Sequence, residues 1–166
     1  MEIKRATMAD FKAACELIEM GRKNIAELGI DQWQNGSPNA DDIKNDIENG
    51  NCYVAVEGNN YLATLYIGFD GEPTYGKIDG EWLQNDKYAT MHRVAVNTQH
   101  RGRGVFAAMV NFATLLAISR GYHALRIDTH YGNTKMQSAL KKNGFTPCGT
   151  IWLSWGDERL AFEKII

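Results

Sequence analysis

The chain has 166 residues, with 18 Lys plus Arg against 20 Asp plus Glu and a net charge of -2. One domain of this size hides roughly 70% of its unfolded surface on folding, so its stability requires neither disulfide nor metal. The charge balance excludes a dedicated nucleic-acid binder, which carries a large basic excess. The opening "MEIKRATMAD" is too polar for a signal peptide, and no apolar run reaches the ~20 residues of a membrane span.

Residues 2–7 read as a first strand. Thr7 follows as a helix N-cap with Asp10 three residues on, a variant capping box. Phe11, Ala14, Cys15 and Ile18 then recur at helical spacing. Ile25 and Leu28 extend that face past Gly21, where a kink or break is expected. After a loop of turn-forming composition, Asn39 caps a second helix to about residue 49 with Ile43 and Ile47 inward. Residues 52–58 and 61–69 are strands joined through Gly58, Asn59 and Asn60, a hairpin signal. Residues 70–87 are polar and rich in glycine, and a loop this long marks a functional region. Residues 88–96 form a strand, 105–120 a helix ended by Gly121, 124–130 a strand, and 133–143 a helix stopped by Gly144. Residues 149–155 and 159–166 close the chain as strands. The order is β-α-α-β-β-β-α-β-α-β-β, with antiparallel pairing early and a parallel crossover over 88–130. No repeat or linker divides it, so a single domain over 1–166 is expected. Cys15, Cys52 and Cys148 are scattered, as in a reducing, cytoplasmic setting.

The segment "VAVNTQHRGRGVFAAM", residues 94–109, carries the chemistry. A strand runs into Arg101, Gly102, Arg103 and Gly104, and a helix follows. A helix start leaves N–H groups without partners and about half a positive charge. Glycines let that backbone come close to an anion, and arginines add charge-assisted hydrogen bonds. The combination suits a phosphate or pyrophosphate. Gly102-x-Gly104-x-x-Ala107, with Asp128 one strand on, also fits the dinucleotide fingerprint of an oxidoreductase. In that motif the turn follows its strand at once, whereas here residues 97–101 intervene, and too little chain remains for a second nucleotide-binding half. No Walker-type G-x-x-x-x-G-K-[ST] and no G-x-S-x-G occurs.

Gln99-x-x-Gly102-x-Gly104 resembles the Q/R-x-x-G-x-G/A motif of the GCN5-related N-acetyltransferase (GNAT) superfamily. "HRVAV" and "ALRIDTH" are similar to that family's fourth and fifth strands, and "NTKMQSALKKNGF" to its Asn…Gly-Phe segment. The resemblance implies an α/β acyl-CoA N-acyltransferase fold, a mixed and mostly antiparallel sheet of six to seven strands with about four helices. It implies acetyl-CoA as cosubstrate. Main chain of Val94, Ala95 and Val96 would meet the pantetheine, and Arg101, Gly102, Arg103, Gly104, Val105 and Phe106 the pyrophosphate. Asn133 would touch the pantetheine or anchor the next helix. The resemblance also implies a cofactor contact for Leu140, which stands where many relatives have a tyrosine proton donor.

Acyl transfer to an amine needs a base, an oxyanion donor and a proton for the leaving thiolate. Strand alternation puts Thr90, His92, Val94 and Val96 on one face. A backbone N–H near Val94 would meet the oxyanion. His92 has a suitable pKa for the base, and it reads equally as a structural histidine. Glu81 is a second candidate base and Tyr131 a candidate proton donor, each also explicable as a surface group. Asp128, His130 and His92 could together ligate a metal, although the chemistry implied requires none. Trp33 and Trp82 are candidate acceptor walls. The reading is an N-acetyltransferase acting on a small-molecule or peptide amine, with no nucleic acid or membrane partner and a homodimer left open. A coenzyme-A-binding module without catalysis and the dinucleotide oxidoreductase are the alternatives.

Overall fold

A computed structural model describes residues 1–166. The elements are β1 (Glu2–Arg5), α1 (Phe11–Ala26), α2 (Ala40–Glu48), β2 (Cys52–Glu57), β3 (Asn60–Gly68), β4 (Asp79–Gly80) and β5 (Tyr88–Val96). They continue with α3 (Val105–Ser119), β6 (Ala124–Thr129), α4 (Thr134–Lys142), β7 (Thr146–Trp152) and β8 (Glu158–Ile165). Eight strands form one mixed sheet, against the six to seven expected. The addition is β4, whose two residues pair with Thr150 and Gly149 of β7 inside the segment expected to be a bare loop. No local pattern marks so short a strand, because its partner lies far along the chain. No helix is long and apolar enough to cross a membrane.

The chain divides into two compact units, Met1–Ile67 with His92–Phe112, and Gly68–Met91 with Ala113–Ile166. In the first, β1 pairs antiparallel with β2 and β2 with β3. The helix ends follow from local chemistry. Thr7 and Asp10 form the capping box expected, and Asn39 accepts from the Asp42 N–H at 3.0 Å while Asp42 caps Asn39 in return. Ala14, Leu17, Ile18, Ile43 and Ile47 then bury one face of each helix against Cys52, Val54 and Ala95.

Contrary to expectation, α1 runs unbroken through Gly21. A Cβ at Gly21 would meet the Trp33 ring at 2.9 Å and the Ala95 Cβ at 3.2 Å, so glycine is there for close packing. Gly21→Ala in a helix interior ordinarily gains up to about 1 kcal/mol. Here no gain is expected, because the Trp33 ring must move. Thermal melts and tryptophan emission of the variant check this, and a clear gain in stability with unchanged emission would contradict it.

In the second unit β5 pairs parallel with β6, and β8 pairs antiparallel with both β6 and β7. The β5–β6 ladder covers three positions and ends at Thr90↔Arg126, while β6 continues along β8 to Thr129↔Leu160. Residues 70–87 are anchored. The Trp82 indole N–H donates to the Tyr75 carbonyl at 3.0 Å, and Tyr75 is buried with Ile151 and Ala161. Arg126 lies between the rings of Trp82 and Tyr88, 4.0 and 3.9 Å from their centroids.

Candidate active site

The glycine-arginine loop belongs to the first unit, and its approach is fixed on both sides. The Asn97 N–H donates to the Leu62 carbonyl at 2.8 Å, and its side chain spans from the Tyr61 carbonyl to the Gln99 N–H. The Thr98 N–H contacts Met20 Sδ of α1 at 3.2 Å. Gly102 and Gly104 then take left-handed backbones, φ 77° and 73°, and α3 begins at Val105. A Cβ at either glycine would meet nothing within 4 Å, so backbone conformation rather than crowding calls for glycine. The first-turn N–H groups of α3 have no intrahelical acceptor. Arg101 and Arg103 are exposed beside them.

Arg103 already has an anionic partner. It donates to Glu57 Oε2 at 2.7 Å and contacts His100 Nδ1 at 3.1 Å. That bond holds the Glu57 carboxyl below its ordinary value. Both side chains are about half exposed, so the pair adds little to stability.

Val94 and Ala95 are buried in β5 and Val96 is half-buried. His92, also half-buried, sits with its ring centroid 5.7 Å from that of Tyr66. The alternation expected along 90–96 does not hold. Arg93 has φ 50°, a left-handed residue inside the strand, and it breaks the two-residue repeat between His92 and Val94. Sequence reasoning missed it because arginine is not a turn residue.

Of the remaining candidates, Trp33 is packed into the first unit's core, and its carbonyl accepts from the Arg22 guanidinium. In the second unit Glu81 is exposed, its N–H bonded to the Cys148 carbonyl at 3.0 Å. Tyr131 is exposed and stacked on His130, with ring centroids 4.2 Å apart. Asn133 caps α4, accepting from the Met136 N–H at 3.2 Å. Leu140 is fully buried, and its hydrocarbon side chain has no proton to give. Asp128 accepts from the Tyr75 hydroxyl at 2.7 Å, and burial pushes that hydroxyl's pKa well up, with the Asp128 charge adding to it. Neither Tyr75 nor the bond was foreseen.

The three-position parallel ladder and the antiparallel β8 rule out the doubly wound sheet of a dinucleotide oxidoreductase. Strand, glycine-arginine loop and helix in a mixed sheet define an acyltransferase-type fold. The chain belongs to the acetyltransferase (GNAT) family, whose model matches residues 22–145. A GNAT-family acetyltransferase of known structure from Streptococcus agalactiae is 36% identical with a TM-score of 0.88, over 99% of this chain and 95% of that one. Streptothricin acetyltransferase of Escherichia coli is 29% identical over 94 residues, 57% of this chain. The chain spans about half the length of that relative, 53%. AAC(6')-Ib, solved in complex with Parmomycin and AcetylCoA, shares the fold at 17% identity and TM-score 0.69, over 98% of this chain and 92% of that one.

Proposed function

We propose that the chain, as a single N-acetyltransferase domain over residues 1–166, transfers the acetyl group of acetyl-CoA to a primary amine by direct attack in the cytoplasm. The observation that carries this is the pair of left-handed glycines, flanked by arginines, at the start of α3. The pyrophosphate is assigned to the main chain of residues 102–106 with Arg101 and Arg103. Pantetheine is assigned to the β5 main chain at Val94, Ala95 and Val96, past the end of the ladder with β6. The amine nitrogen attacks the thioester carbonyl carbon, a Val94 N–H takes the developing oxyanion, and the C–S bond breaks. The amine proton goes to His92, and the thiolate takes a proton from water, since Leu140 has none to give. An oxyanion donor of this kind contributes about 3 kcal/mol.

Arg101→Ala and Arg103→Ala should each weaken acetyl-CoA binding by roughly tenfold, more at low salt. Glu57→Gln, which frees Arg103, should tighten it by roughly twofold. Calorimetric titration reads both, and unchanged affinity in all three variants would remove the loop from the site. Turnover is read with a panel of primary amines that includes streptothricin, the compound in the Escherichia coli relative's name. Steady acetylation of any of them excludes a binding module without catalysis. His92→Gln should lower kcat at least roughly a hundredfold, with coenzyme affinity retained. An unchanged kcat-against-pH profile would take His92 out of the reaction.

A further inference from the structure

Apart from glycines, two residues have left-handed backbones, Trp33 and Arg93. Arg93 lies inside the nine-residue strand β5. That conformation is unfavourable for any side chain but glycine and persists only where surrounding contacts impose it. They come from two elements. On α2, Asp46 Oδ1 accepts from Arg93 Nη2 at 3.1 Å, and Oδ2 lies 2.9 Å from Nε. The Nε–H is close to Oδ2 but not aligned for a hydrogen bond, so the grip is one hydrogen bond plus charge. On β3, the Tyr66 ring lies 5.0 Å from the guanidinium.

Asp46 is itself buried, on a helix anchored by its own capping box. A buried ion pair contributes little net stability compared with apolar packing. Here one is retained at a strained backbone position, between His92 and Val94. Strain of this kind marks a place where geometry matters to function.

We propose that Asp46 and Arg93 are positioning residues, which hold the left-handed turn in β5 and so aim the Val94 main chain at the thioester of acetyl-CoA. This rests on the reading of the site given above. A left-handed residue turns the peptide groups flanking it relative to the strand, so the direction of the Val94 N–H depends on Arg93. Neither side chain is among the groups assigned to the coenzyme above. The grip also depends on pH. Burial raises the Asp46 carboxyl to about 6, with Arg93 opposing, Asp42 of its own helix adding and His92 opposing. Of the elements packed against α2, β2 contributes Cys52, which burial keeps a thiol, the turn before α1 contributes Asp10, and α1 contributes Cys15. As pH falls through about 6, Asp46 takes up a proton and the charge pair is lost.

The test titrates acetyl-CoA into the full chain from about pH 5 to about pH 8, across the range where Asp46 changes charge. Wild type should bind severalfold more weakly at the acid end. Arg93→Ala should bind roughly tenfold more weakly throughout, since alanine resists the turn and has no grip. Arg93→Gly should stay within roughly threefold of wild type, since glycine adopts the turn unaided. Asp46→Asn should lose the acid limb. Thermal melts show that each variant is folded. Equal losses in Arg93→Ala and Arg93→Gly, or no loss in either, would overturn the proposal. So would an acid limb that survives in Asp46→Asn. If wild type fails to bind acetyl-CoA at all, the reading of the site falls and this inference with it. Normal binding without the predicted pattern among the variants removes the inference alone.

Discussion

Arg126→Ala should destabilise the protein by about 3–5 kcal/mol, the range for stripping one partner from a buried ion pair. Glu163 is fully buried, and its Oε1 accepts from Arg126 Nε at 2.7 Å. The same carboxylate accepts from the Leu83 N–H at 2.6 Å and from Gln84 Nε2 at 3.1 Å, while Arg126 Nη2 donates to the Gln84 carbonyl at 2.7 Å. The pair therefore fastens residues 83–84 to β6 and β8. Without the guanidinium, a carboxylate with no counter-charge stays in the core and the rings of Trp82 and Tyr88 lose what lies between them. Denaturant unfolding reads the loss, and limited proteolysis should cut first between about residues 81 and 87, the released segment. Arg126→Leu combined with Glu163→Leu should recover part of the stability by removing both charges. It should not recover all, because the Leu83 N–H and the Gln84 carbonyl would lose their partners. A loss under about 1 kcal/mol for Arg126→Ala would contradict the account.

Asp10→Ala is the second large effect, about 3 kcal/mol at neutral pH. The carboxylate is buried and accepts from Lys4 Nζ at 2.9 Å, the Thr7 N–H at 2.9 Å, the Thr7 hydroxyl at 3.0 Å and the Tyr61 hydroxyl at 2.6 Å. Burial alone would raise its pKa. The hydrogen bonds from Tyr61, Thr7 and Lys4 outweigh that and hold it well below the ordinary carboxylate value of 3.8. A carboxylate depressed on folding adds stability that is full above its unfolded value and is lost as pH falls below it. The parent should therefore lose stability as pH drops below about 4, and Asp10→Asn should lose less over the same interval. Urea unfolding at about pH 7 and about pH 3 compares them. Equal acid sensitivity in parent and Asp10→Asn would show that the acid limb arises elsewhere.

Helix ends were legible because they are written locally. Thr7 with Asp10, Asn39 with Asp42, Gly121, and Asn133 with Gly144 each set a boundary through atoms a few residues apart. The glycine-arginine loop was legible for the same reason, as one contiguous segment between a strand and a helix. The features missed depend on distant partners. Gly21 looks like a helix breaker until Trp33 and Ala95 are packed on it. Arg93 turns left-handed inside a strand-forming run because Asp46, on another element, holds it there. β4 exists only as a partner of β7. The packing of Trp33 and Trp82, each against its own unit's core, was likewise hidden by the polar neighbourhoods in which they stand in the sequence. The catalytic candidates were the least legible, since His92, Glu81 and Tyr131 each have an ordinary structural reading that spacing cannot separate from a chemical one.

The most direct test is diffraction from crystals of the protein grown with saturating acetyl-CoA. The diphosphate should lie within hydrogen-bond reach of the main-chain N–H groups between Gly102 and Phe106, with the Arg103 side chain turned from Glu57 toward it. Density for the coenzyme at any other place on the chain, with the Arg103–Glu57 pair intact and the start of α3 facing only solvent, would contradict the assignment.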